Sequence, residues 1–228
     1  MVNRLTVSLS RARKNATLRI TKSVGPAPNP LRWERGLDLP DLEYAGYTQY
    51  TSLELLSQSK SIKATIGLWN LVQMPQGGEL LIPTYSRTEP GLVIGSIPPE
   101  DLVVDEHLIR YRMRQQGEHK ISVRAIAVCG RVGYLYPGRE TWSLIIRNFA
   151  VNPSGEYVDV PWNDTNYCGF STQACNVNSG LGRFSELEYH IPAIGGGTGR
   201  TRCQDEAQVW AFRGPQAQIS RLCRLLGG

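Results

Sequence analysis

Residues 182–193 read GRFSELEYHIPA, and the way their side chains alternate decides the fold. As a strand, the segment sends Phe184, Glu186, Glu188 and His190 to one face and Ser185, Leu187, Tyr189 and Ile191 to the other. One face is apolar enough to bury, and the other lines up three ionisable groups. Those groups are either an acid and base set or the solvated side of a half-buried sheet.

Similar alternating or apolar runs recur outward in both directions: LEYAGYTQYTSLELL, IGLWNLVQM, GELLIPTY, GLVIGSI, HLIRYRM, KISVRAIAV, RVGYLYP, WSLIIRNFAV and EAQVWAFRG. Turn chemistry separates them, with Gly or Pro in MPQGGE, TEPGLV, QQGEHK, YPGRE and NPSGE. These connections are too short for the helical crossovers of a parallel sheet. The expected fold is therefore all-β, a large twisted antiparallel β-sandwich with one short C-terminal helix. The helix is SRLCRLLGG, where Leu222, Cys223 and Leu226 form one stripe with Ile219 just before it.

A chain of 228 residues that is 41% hydrophobic and 20% charged can bury a substantial core, and no second domain is expected within 1–228. Residues 1–24 hold Arg4, Arg11, Arg13, Lys14, Arg19 and Lys22 without an acid, which outweighs the net charge of +5. LTVSLS and ATLRITKS alternate around RARKN, so this segment is expected to be a hairpin with its charges in solvent. No aromatic residue interleaves those charges, and nucleic acid is not an expected partner. Residues 25–41 are Pro-rich and are expected to form an irregular loop before a long strand at 42–56.

The longest apolar runs fall short of the roughly 20 residues of a membrane span, and the N-terminus lacks a secretory apolar segment. A cytoplasmic protein with no membrane partner is the default expectation. The five cysteines form no CxxC pair or Cys/His set, so no metal site and no cofactor are expected. Cys168 and Cys175 are read as free thiols, with a pairing open only in an oxidising compartment. His107 and His119 lack an identifiable carboxylate partner, AIGGGTGR lacks the flanking strand and helix of a phosphate loop, and GxSxG is absent.

Three groups of residues have the composition of a site. Glu186 and Glu188, about 6–7 Å apart on one strand face, would raise one another's pKa if desolvated, which suits acid/base work beside His190. Trp69, Asn70 and Gln73 in IGLWNLVQMP offer a flat ring for the C–H face of a sugar and amides for its hydroxyls. Trp162 and Asn163 in PWNDTNYCGF repeat that chemistry in an expected loop.

Two of these stretches resemble the aldose 1-epimerase (galactose mutarotase) superfamily: LGRFSELEYHIPA its late Glu-containing strand, and LWNL its aromatic-Asn-Leu segment. Between residues 40 and 228 the order of LWNLVQMPQGGELLIPTY, IPPEDL, VGYLYPG and EAQVWAFRGPQAQISRLCRLLGG is similar to a bacterial branch of mutarotase-like proteins. The resemblance implies a mutarotase-like supersandwich that holds a sugar or sugar derivative on a concave sheet face. It assigns Glu188 as catalytic base and places Trp69 and Asn70 beside the sugar. The family's acid position falls on Ile66, which leaves His190 as the candidate substitute and a non-catalytic sugar-binding or assembly module as the alternative. The superfamily usually carries further strands before the equivalent of residue 1. That implies either a shortened sequence or an exposed sheet edge that pairs with a second copy.

Overall fold

The computed structural model describes residues 1–9, 13–34, 38–58, 64–158 and 168–227. The chain begins with β1 (Val2–Leu9) and β2 (Lys14–Pro26), followed by a short 3-10 turn at Pro30–Trp33 and the long β3 (Glu43–Gln58). Then come β4 (Thr65–Pro75), β5 (Glu79–Pro83), β6 (Gly91–Ile94), β7 (Leu102–Val104), β8 (Leu108–Arg112) and β9 (Gly117–Arg124). The chain closes with β10 (Arg131–Pro137), β11 (Trp142–Asn148), β12 (Phe170–Ser179), β13 (Gly182–Gly195) and β14 (Arg202–Gly214), then helices α1 (Gln216–Leu222) and α2 (Arg224–Gly227).

Among the described residues the strands form two antiparallel sheets. The larger has the order β1-β2-β3-β14-β11-β10-β5-β8-β7, the smaller β4-β13-β12-β9-β6. The architecture is thus an all-β, sandwich-like fold. Its main core lies between the sheets, where Ile82, Ile109 and Tyr111 of the larger sheet meet Ile121, Ala174, Leu187 and Tyr189 of the smaller. At ~25 cal/mol per Å² of apolar surface removed from water, burial of side chains this size is the main stabilising term. Tyr134 ties the layers together: its hydroxyl donates to the Pro75 carbonyl at 2.6 Å and accepts from Gly78 N–H at 2.8 Å. Gly78 has to be glycine, because a Cβ there would lie 2.4 Å from the Tyr134 ring.

A second core sits on the opposite face of the larger sheet, where Ile219, Leu222 and Leu226 of the helices cover Leu144, Ile146 and Phe212. The expected C-terminal stripe is present, although the helix is interrupted at Cys223, which is only half-buried. The expected N-terminal hairpin is present in register Val2↔Thr21 to Leu9↔Lys14. Its charges are not all free in solvent, since Arg19 pairs with Glu54 of β3. The Pro-rich segment departs from expectation at its start: β2 continues to Pro26, paired with Tyr47. Pro26 fits there because a residue without an N–H is tolerated at a strand's end. No helix among the described residues is long and apolar enough to cross a membrane.

Candidate functional site

β13 is the second strand of the smaller sheet, and its alternation sorts the opening stretch as its pattern requires. Leu187, Tyr189 and Ile191 enter the main core. Glu186, Glu188 and His190 therefore face away from it. That face is far from a solvated surface, because Glu188 is 0% exposed and His190 only 8%.

Register sets which side chains meet there. Across the β4 edge, Trp69 lies opposite His190, Leu71 opposite Glu188 and Gln73 opposite Glu186. On the other side Gln173 of β12 lies opposite Glu188 and Cys175 opposite Glu186, and β9 adds Ser122 and Lys120 in the same rows.

The Glu188 carboxylate is the centre of this group. Its Oε2 accepts from Trp69 Nε1 and from Lys120 Nζ, each at 2.7 Å, whereas its Oε1 is buried with no hydrogen-bond partner among the described residues. Burial pushes the Glu188 pKa above the usual carboxylate range, and the Lys120 ammonium only partly offsets it. The ammonium also lies 5.2 Å from the centroid of the Trp69 ring, a cation–π arrangement. Trp69 keeps 48% of its surface exposed, and half-exposed Leu71, opposite Glu188, and Ile94, opposite Lys120, add apolar surface on the same face.

His190 is held by Gln173. Its Nε2 lies 3.0 Å from Gln173 Oε1, and an amide oxygen can only accept, so the ring is the tautomer with hydrogen on Nε2. Burial, reinforced by Lys120, lowers its pKa from 6.5 to about 4, so it is neutral near pH 7. Glu186, half-buried, accepts from Gln73 Nε2 at 3.1 Å.

Of the residues singled out in the sequence, Trp69, Gln73, Glu186, Glu188 and His190 come together here. Asn70 does not. As the strand neighbour of Trp69 it must point to the opposite face. There it is buried between the sheets, with Oδ1 accepting from Gln49 Nε2 at 3.1 Å. Ile66, at the family's acid position, shares that inner face and packs beside Leu18, Leu53 and Ile194. The constellation implied by the resemblance is thus divided between two sides of one sheet. Trp162 and Asn163 lie outside the described residues.

Lys120 and Gln173 were not singled out in the sequence. Lys120 opens the strand segment KISVRAIAV and shares a face with Ser122, so a charge on that face is a signal that something must neutralise it. Its partner lies 68 residues away and follows only from the strand order β13-β12-β9. Cys175 lies in β12, and it and exposed Cys168 are both free thiols.

The inner face carries a separate polar group. Arg147 of β11 is buried, donates from Nη1 to the Leu187 carbonyl at 2.6 Å and stacks over the Tyr189 ring at 4.5 Å. Tyr189 in turn donates to Asp205 at 2.5 Å. This group, on the inner face of β13, fastens the sheets to one another. No protein-family model, curated protein or solved structure matches the chain.

Proposed function

We propose that the Glu188 face of the smaller sheet binds a sugar or sugar derivative and that Glu188 acts on it as a base. The observation that carries this reading is a fully buried carboxylate with one oxygen held by Trp69 and Lys120, the other oxygen unpartnered among the described residues, and a half-exposed indole alongside. The indole offers an apolar plane to a sugar's C–H face, while Gln73 and Glu186 offer hydrogen bonds to hydroxyls. A carboxylate whose pKa is raised by burial is suited to taking a proton from an anomeric hydroxyl near neutrality.

In ring opening, the base removes the hydroxyl proton, the bond between the anomeric carbon and the ring oxygen breaks, and the ring oxygen takes a proton. Lys120 is the cationic donor beside Glu188, so in this reading it replaces His190 as the acid. Such assistance is worth roughly 10² to 10⁴ in rate. The test is anomer exchange followed by NMR over a panel of aldoses and phosphosugars. Acceleration by the wild type that is lost in Glu188→Gln supports the reading, and equal rates for the two proteins refute it.

A second reading, a sugar-binding module without turnover, is favoured by the apolar packing of Ile66 where the family places its acid. It predicts saturable binding with no acceleration of anomer exchange.

A further inference from the structure

On the same face Cys175, which neither sugar binding nor proton transfer uses, sits beside the two carboxylates that the sugar reading does use. Cys175 Sγ and one carboxylate oxygen each from Glu186 and Glu188 all lie within 4.8 Å of one another. Cys175 and Glu188 are buried, at 7% and 0% exposure, and Glu186 is half-buried. Each residue is fixed by a strand: Cys175 and Glu186 are directly opposed across β12 and β13, and Glu188 is two residues further along the same face.

Hydrogen bonding and charge define what the cluster can take. Among the described residues no donor meets the buried Glu188 Oε1, an arrangement that costs free energy unless something positive meets it. Lys120 is committed to Oε2 of the same carboxylate. With the thiol ionised, two carboxylates, one thiolate and one ammonium leave a net charge of minus two, which a single divalent cation cancels.

We propose that Cys175, Glu186 and Glu188 form a binding site for a thiophilic divalent cation of the zinc class. A sulfur ligand selects such ions over magnesium or calcium, which take oxygen ligands alone and more of them. In a tetrahedral zinc site, ligand atoms at ~2.0–2.3 Å from the metal stand about 3.5 Å apart. The separation of up to 4.8 Å closes by small side-chain rotations, chiefly of the half-buried Glu186. Binding breaks the Cys175 S–H bond and forms a metal–thiolate bond, and the proton passes to the buffer, so affinity rises with pH. Three protein ligands leave the fourth position open to water or an exchangeable ligand.

The test uses the whole chain after chelator treatment, without sugar, so its outcome is separate from that of the sugar reading. Zn²⁺ is titrated by calorimetry and Co²⁺ by absorption. The expected result is one saturable equivalent of each, with a thiolate-to-cobalt charge-transfer band and no binding of Mg²⁺. Cys175→Ser removes that band, and Glu186→Gln weakens both ions roughly tenfold or more. Survival of the band in Cys175→Ser, unchanged affinity in Glu186→Gln, or no stoichiometric binding to the folded wild type overturns the proposal. Glu186→Gln, conservative and half-buried, decides the matter if Cys175→Ser does not fold.

Discussion

Replacing Lys120 by Met tests the reasoning about the Glu188 face at its centre. The ammonium is 2.7 Å from Glu188 Oε2, with side-chain exposures of 9% for the lysine and 0% for the glutamate. Removing it leaves a desolvated carboxylate with Trp69 Nε1 as its one donor among the described residues. Breaking a buried pair from one side costs ~3–5 kcal/mol, because the remaining charge stays buried. Glu188→Gln should cost a similar amount by stranding the ammonium. The double variant removes both charges, so it should be destabilised by clearly less than the sum, with a coupling of ~2–3 kcal/mol. The assay is urea unfolding followed by tryptophan fluorescence, with chelator present throughout. The sign with pH is fixed as well. Burial holds the folded pKa of Glu188 above its unfolded value, and losing Lys120 raises it further. The neutral carboxyl is therefore tolerated at low pH, and stability is lost as pH rises through the folded pKa. The Lys120→Met deficit should be larger at about pH 8 than at about pH 5. Strictly additive single-variant costs, or a deficit that does not change with pH, would refute the idea of a coupled buried pair.

Other consequences can be measured on the same preparation. His190 has its folded pKa lowered to about 4 from 6.5, so the stability it confers is present above pH 6.5 and is lost as pH falls toward 4. Across that window the loss is about 3 kcal/mol, and His190→Gln should flatten this part of the unfolding profile. Parallel wild-type and variant profiles would contradict it. Asn70→Ala should cost ~1–3 kcal/mol by removing an inter-sheet hydrogen bond with Gln49 while leaving sugar affinity unchanged. A large loss of affinity would place Asn70 in the site after all. Tyr189→Phe leaves the Asp205 carboxylate without its hydroxyl donor and should cost ~1–3 kcal/mol by urea titration, with no effect on the Glu188 face.

The sheet content was legible because period-two alternation is a local property. GRFSELEYHIPA sorts its faces in the structure as its letters require, and the N-terminal hairpin and the C-terminal stripe follow from equally local patterns. β12 was not legible. FSTQACNVNS is rich in polar residues, and Thr172, Gln173 and Asn176 are buried because the strand is the middle one of the smaller sheet. Composition suggests a loop, and only pairing on both sides makes the segment a strand. The same missing knowledge of strand order hid Lys120, whose partner lies two strands away. Asn70 was a different matter, since its position next to Trp69 already placed the two side chains on opposite faces.

The claim that matters most is that the Glu188 face receives a sugar. Titration of the chelator-treated protein with a monosaccharide and phosphosugar panel, followed by Trp69 fluorescence and NMR line broadening, tests it most directly. The account predicts saturable binding of at least one sugar, abolished in Trp69→Ala and strongly weakened in Glu188→Gln, with both variants folded. Binding that persists unchanged in both variants, or no binding by the folded wild type, would contradict it.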